Sequence, residues 1–239
     1  MNKFRDLANT IIGAAVIVVL MRSFAFATYH IPSESMVPTL EVGDRVAALK
    51  FPLGFSRYSL VGGQYLPRFP GETGRIPGAM PARGDVVVFR HPRTGEDFIK
   101  RVAGLPGDRV AIREGRLWLN GEPVPLTEAG RWSYRETDGG IAAVTAYRET
   151  FPGTEPHTIL LRDRRSATGD MAEQVVPEGR VFMLGDNRDN SSDSRFSSMG
   201  FIPVENLIGR AGAILYSLAS CEKEPGLRCP PRRMLERVE

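Results

Sequence analysis

The sequence predicts a mostly β protein behind one N-terminal transmembrane helix. Short apolar runs recur between turn signals from residue 84 onward, the sign of an all-β domain. Glycine and proline number 25 and 18 in 239 residues, which suits strands and turns better than helices. The one long apolar run is N-terminal. Residues 11–31 hold a single formal charge, Arg22, and about 20 apolar residues cross a hydrocarbon core of about 30 Å. A hydrophobic content of 42% is enough for one good core with a sizeable insertion.

In chain order, residues 1–9 form a short N-terminus and 10–28 the membrane span. Lys3 and Arg5 precede the span, so the N-terminus stays in the cytoplasm and the body is exported. Arg22 lies in the second half, where a long stem can snorkel toward headgroups. A second outline overlaps the first. A basic start, an apolar core and then Ala25-Phe26-Ala27 also describe a cleavable signal peptide with an A-x-A site. Both outlines place the body outside the cytoplasm.

A β domain begins at residue 29. Gly43-Asp44 reads as a turn and 45–49 as a strand. Residues 51–82 are rich in Gly, Pro, Tyr and Arg with no sustained period. They form a loop excursion whose Phe, Tyr and Leu side chains could face a membrane. Residues 84–90 and 96–103 pair as a hairpin, and 110–113 is a third strand. Asn120-Gly121 is a strong hairpin-turn signal. The first part of the domain is therefore 29–121. Residues 122–178 are more polar and less regular, with strand candidates at 141–147 and 157–162, and read as a β insertion. The domain resumes over 179–219, with a strand at 180–184 and a closing buried strand within 201–217. The tail, 220–239, is polar and proline-rich, held at most by a cysteine pair.

Net charge is +3, from 31 basic and 28 acidic residues. That balance, with no dense Lys/Arg run, argues against nucleic acid as a partner. Cys221 and Cys229 could close a small loop in an oxidising compartment. His30, His91 and His157 are scattered without ligand spacing, so neither a metal nor a cofactor is expected.

Chemistry concentrates in three places. The first is Ile31-Pro32-Ser33-Glu34-Ser35-Met36-Val37-Pro38. Two prolines disfavour a helix and leave a stiff extended or turning segment. In an extended segment Ser33 and Ser35 point the same way, which sets one hydroxyl beside another. A serine needs a base to become a nucleophile, and no histidine has a persuasive context. The second place is Lys100. In EDFIKRVA, alternation puts Phe98, Lys100 and Val102 on one face, and a lysine between two apolar neighbours on a core-facing strand calls for a task. To act as a base it must fall about 2–3 units from ~10.4, roughly 3–4 kcal/mol, which burial can supply. The opposite facing, with Ile99 and Ala103 inward and Lys100 in solvent, is also compatible with the pattern. The third place is GDNRDNSSDSR, residues 185–195. Counted from Asp186, a calcium loop would need Gly and Glu where Ser191 and Ser197 stand. A rigid hydrogen-bonded and ion-paired platform remains.

Together, IPSESMVPTLEVGD, RGDVVVF, DFIKRVAGLPGD and GDNRDNSSDSR resemble the ordered signature boxes of bacterial type I signal peptidase, a membrane-anchored serine endopeptidase with a Ser/Lys dyad. The resemblance covers residues 29–50, 83–108 and 181–217. It implies the signal-peptidase β fold with a variable β insertion, and it favours a retained anchor over a cleaved signal peptide. It implies Ser35 as nucleophile, Lys100 as general base, and Ser33 with the Ser35 N–H as oxyanion donors. Ser191 would orient the Lys100 amine by a hydrogen bond, and Asp193 and Arg195 would form a supporting ion pair. Ile31, Pro32, Met36, Leu40 and Ile99 would line shallow pockets for an Ala-x-Ala site. The implied substrates are exported preproteins, cut by a monomer in the bacterial inner membrane, with membrane lipid as a further partner and its catalytic domain on the extracytoplasmic side. Position 34 departs from the pattern, being Glu where the family often has Gly, which puts the local geometry beside the nucleophile in question. A peptidase dedicated to one conjugation or pilus precursor, and a tethered non-catalytic β domain that binds exported chains, are the alternatives.

Overall fold

The computed structural model describes residues 2–162, 170–218, 224–230 and 232–238. Helix α1, Asn2–Leu20, continues through a π-helical turn, Met21–Ala25. The stretch Lys3–Ala25 is 23 residues long and apolar enough to cross a membrane, and helical geometry makes it about 34 Å long. Its Ile11, Ile12, Ile17 and Leu20 side chains are exposed, which is unfavourable in water and natural in lipid.

The helix stops at residue 25, short of the expected 28, because strand β1, Phe26–His30, takes over. FAFATYH reads as continuous apolar sequence, yet it alternates, with Ala27 buried between exposed Phe26 and Thr28. β1 pairs antiparallel with β2, Asp44–Leu49, and the register sets Phe26 against Leu49 and Ala27 against Ala48. The Ala25-Phe26-Ala27 motif is thus taken up at the root of the sheet, where its cleavage would cut into β1.

Strand β3 is Val86–Arg90 and β4 is Asp97–Gly104. They form the expected hairpin, with Val87 opposite Lys100. Strands β5 (Arg109–Arg113), β6 (Arg116–Leu119) and β7 (Glu122–Pro123) follow. At the β6–β7 turn Asn120 and Gly121 have φ of 55° and 90°, the two positive values a tight hairpin turn requires. Next come β8 (Leu126–Arg135), β9 (Ile141–Glu149), β10 (His157–Leu161) and β11 (Met171–Val175). The last four are β12 (Arg180–Leu184), β13 (Ile202–Pro203), β14 (Leu207–Ser217) and β15 (Met234–Arg237).

The main sheet runs β1-β2-β14-β3-β4-β12-β13, with β15 on β14. The late strand β14 lies between β2 and β3, so the chain's end clamps its beginning. β4 and β12 are buried on both faces. Val102, Val181 and Met183 pack into one core cluster, while Ala103, Phe182 and Leu184 pack into another. A strand covered on both sides reads as an unbroken apolar run, which is why RVFML was legible.

Residues 122–178 do not form one unit. β8, β9 and β10 make a separate three-stranded sheet, whereas β11 joins β5, β6 and β7 in a four-stranded one. The tail is also held by more than its cysteines. β15 pairs with β14, Arg228 binds Glu41, and Arg233 binds Asp44 and the Thr39 carbonyl. Cys229 is disulfide-bonded, and Cys221 lies outside the described residues.

Candidate active site

The serine segment turns where two prolines limit it. Ser33 is extended, Glu34–Met36 is a single 3-10 turn, and Val37 is extended again before Pro38. Ser33 and Ser35 do come together, with Oγ atoms 3.3 Å apart. The turn brings them together, however, and not the two-residue period of a strand. Ser33 is exposed and Ser35 is buried.

Lys100 comes to Ser35 from β4, 65 residues later, with Nζ 2.6 Å from Ser35 Oγ. The amine also donates to the Ile99 carbonyl at 2.9 Å and lies 5.7 Å from the Phe98 ring. Alternation along β4 is as expected, since Phe98 and Val102 pack in one cluster and Ile99 in others. Lys100 is only 3% exposed. Burial pushes its pKa down from 10.5 to about 8, against Asp193 and Asp186, which favour the cation, and with help from Arg195. The neutral amine is therefore reachable near neutral pH.

Residues 185–195 form the platform behind this pair. Gly185 leaves no room for a side chain: a Cβ there would lie 2.2 Å from Ser191 Oγ and 2.6 Å from the Ser35 carbonyl. The Asn187 N–H donates to that carbonyl at 3.1 Å, and Asn187 Nδ2 donates to the Glu34 carbonyl at 3.1 Å. Asp186 accepts from Arg101 Nε and an Arg101 terminal nitrogen at 2.9 and 2.7 Å, with side chains 3% and 1% exposed. Such a buried pair adds little net stability over apolar residues, so its value is in fixing position. Asp193 and Arg195 do form an ion pair, at 2.8 Å, and Asp193 also accepts from the Gly185 N–H. A second buried group, Arg188, Glu149 and His157, ties this platform to β9 and β10. The Arg188 guanidinium and the His157 contact hold the Glu149 carboxyl down at about 2, although burial opposes them.

Ser191 differs from its expected role. Among the described residues its buried hydroxyl has no hydrogen-bond partner, and the Lys100 amine is turned to Ser35 and Ile99 instead. Glu34 settles the question raised by its place beside the nucleophile. It needs no left-handed backbone, and its buried carboxylate is bound by Thr137 and Asn190.

A cleft of about 500 Å³ opens on the dyad, and Ile31, Pro32 and Ile99 line it as expected. Tyr29, Phe98 and Asn190 line it too, and nothing in their local sequence singled them out. Met36 and Leu40 do not. Both are fully buried in a core cluster with Ile31, Val46 and Ile214, because the turn directs them inward under the strand ends. The arrangement can activate a hydroxyl and accept an extended chain over an apolar floor.

The family model for signal peptidase, peptidase S26, matches residues 4–216. The chain is similar to signal peptidase I of Pseudomonas aeruginosa, 39% identical over 211 residues, covering 84% of this chain and 68% of that one. It is similar to signal peptidase I of Rickettsia typhi at 36% identity, covering 84% and 76%. A crystal structure of a signal peptidase I from Enterococcus faecalis V583 aligns at 29% identity over 55% of this chain and 96% of that one, with a TM-score of 0.32.

Proposed function

Since the chain belongs to the peptidase S26 family of signal peptidases, we propose that it cleaves signal peptides from exported preproteins by a Ser35/Lys100 mechanism, after Ala-x-Ala sites. The observation that carries this is the 2.6 Å approach of a buried Lys100 amine to the Ser35 hydroxyl. With the amine neutral, the Ser35 O–H donates to Nζ. Oγ attacks the scissile carbonyl, its proton passes to Nζ, and the carbonyl oxygen takes the negative charge. The Ser33 hydroxyl and the Ser35 N–H are the donors assigned to that oxyanion, where charge appears only in the transition state. The Lys100 ammonium then gives its proton to the leaving amine, and an ester forms on Ser35. Water attacks the ester and gives a proton to Nζ; as the Oγ–acyl bond breaks, Lys100 passes that proton to Ser35 Oγ, which restores the hydroxyl and the neutral amine and releases the new carboxyl end.

Substrate enters extended along the cleft, where strand-like hydrogen bonds bind any sequence and shallow pockets select side chains. Ile31 and Ile99 narrow the floor beside the dyad, which favours small residues such as alanine. Cleavage of a model preprotein, with N-terminal sequencing of each product, tests activity and site together. Cuts that ignore the small residues before the junction would overturn the Ala-x-Ala assignment.

The anchor and the catalytic domain act as one piece at the membrane. Lys3 and Arg5, in α1 ahead of its apolar stretch, support an N-terminus in the cytoplasm and a domain on the outer side of the inner membrane. The 51–82 excursion is tied to the helix end. The Lys50 N–H donates to the Ala25 carbonyl at 3.1 Å, the Val61 N–H to Ser23 Oγ at 3.3 Å, and the Phe24 and Phe55 rings lie 5.6 Å apart. Lys50 Nζ also binds the Arg22 carbonyl. Phe51 and Val61, 78% and 54% exposed, are therefore held at headgroup depth. Spin labels at Phe51→Cys and Val61→Cys in the reconstituted protein are expected to collide more with oxygen than with a water-soluble nickel chelate. A label at Ile141→Cys, on the three-stranded sheet, should do the reverse. Equal nickel access at all three positions would exclude lipid contact by the excursion.

A further inference from the structure

We propose that Glu34 is a positioning residue that locks the nucleophile turn to the β8–β9 hairpin, an inference that rests on the peptidase reading above. Glu34 directly precedes Ser35 and is 8% exposed. One carboxylate oxygen accepts from the Thr137 N–H at 2.5 Å and from Thr137 Oγ1 at 3.0 Å. The other accepts from Asn190 Nδ2 at 2.8 Å. Thr137 is at the hairpin tip, 103 residues along the chain, and Asn190 belongs to the platform behind the dyad. Asn190 Nδ2 reaches on to Glu136 at 3.2 Å, and Glu136 binds Arg162 beyond β10. Asn187, which holds the Glu34 and Ser35 carbonyls, is itself bonded through Nδ2 to the Tyr134 hydroxyl of β8 at 2.8 Å. The turn is thus gripped by its carboxylate from one side and by its backbone from the other, and both grips lead to the same hairpin.

Hydrogen bonds to a carboxylate are about twice as strong as neutral ones, and three of them fix the side chain of a residue whose own backbone carries the nucleophile. Ser35 Oγ has to hold its 2.6 Å distance from Lys100 Nζ while facing the cleft. A shift of about 1 Å at such a centre can cost on the order of 100-fold in rate. The three-stranded sheet therefore reaches into the reaction without touching the substrate.

Thr137 is the first central residue of the turn closed by the Gly139 N–H on the Glu136 carbonyl at 2.9 Å, a place that accepts proline. Thr137→Pro removes both Thr137 donors while leaving every residue near Ser35 unchanged. The experiment uses the full chain in lipid, a model preprotein, and active sites counted with a serine-reactive probe. For Thr137→Pro and Glu34→Ala alike, kcat per active site is expected to fall about 10-fold with KM nearly unchanged, and the double variant to be no slower than either single. Wild-type kcat per site in Thr137→Pro would overturn the proposal, as would losses that multiply in the double variant. A drop in probe-reactive sites alone, at unchanged kcat per site, would mark a folding role and also overturn it. If Glu34→Ala does not fold, Thr137→Pro decides alone. Ser35→Ala is run beside them: cleavage by that variant would strike at the peptidase reading itself and not at the Glu34 lock.

Discussion

Ser35→Ala and Lys100→Ala are each expected to lower preprotein cleavage by at least about 1,000-fold, and the double variant to be no worse than either single. The two groups act as a unit. Without Oγ there is no acyl-enzyme, and without Nζ the hydroxyl loses the base it is bonded to. Among the described residues the other buried lysine, Lys50, is engaged with the Arg22 and Ser59 carbonyls at the membrane end, so it cannot substitute. Of the histidines, His157 is bound to Glu149, and although His30 lines the cleft, the contacts of Ser35 Oγ are with Lys100 Nζ and Ser33 Oγ. The check is initial cleavage rate per mole of folded protein, with product sequencing. Full activity in either single variant would remove the dyad from the mechanism.

The second large effect is in pH. Burial, opposed by Asp193 and Asp186, leaves Lys100 with a pKa of about 8. The base form is then the minority below pH 8, so kcat/KM should rise tenfold per unit up to a bend near 8. At pH 6 the rate should be about 100-fold below its plateau. A flat profile from 6 to 9 would contradict a lysine base.

The same group makes a stability claim of the opposite sign to a salt-bridged lysine. Its folded pKa, about 8, lies below its ordinary 10.5. Between those values the unfolded chain binds more protons, so stability rises with pH across that window. Below pH 8 the full penalty is present, about 3 kcal/mol. Lys50 is also pushed down to about 8, by burial and by Arg22, so the wild-type curve alone does not isolate Lys100. The difference between Lys100→Met and wild type does. The advantage of Lys100→Met should shrink by about 3 kcal/mol from pH 7 to above pH 10.5, read by urea unfolding at fixed detergent.

What the sequence could and could not reveal divides along physical lines. Lys100 was legible because its neighbours on β4 alternate and because lysine is scarce in this chain. The β3–β4 hairpin and β12 were legible because burial on both faces leaves unbroken apolar runs. β8 was not. LTEAGRWSYR buries only Tyr134, and it is a strand because β9 pairs along its length, a fact that local propensity does not hold. β15 is exposed at all four residues and exists through β14 alone. Met36 and Leu40 show the limit for pockets, since an apolar side chain beside a nucleophile looks the same whether it faces substrate or core. Ser191 shows the limit for orientation: it was expected to hydrogen-bond the Lys100 amine, and that amine is turned to Ser35 and Ile99 instead. Glu34 showed only as an oddity in the serine box, because the hairpin that explains it lies 103 residues away.

The pairing of Ala27 with Ala48 has a consequence for the enzyme's own survival. The chain carries a sequence of the kind it is proposed to cut, tethered eight residues from its own nucleophile. While β1 is paired to β2, the motif is held in the sheet and is not presented to the cleft as a free extended strand. Attack on the motif requires β1 to peel from β2 first. An opening that costs about 4 kcal/mol leaves roughly one molecule in a thousand vulnerable at any instant. The edge of the sheet is therefore a safety catch.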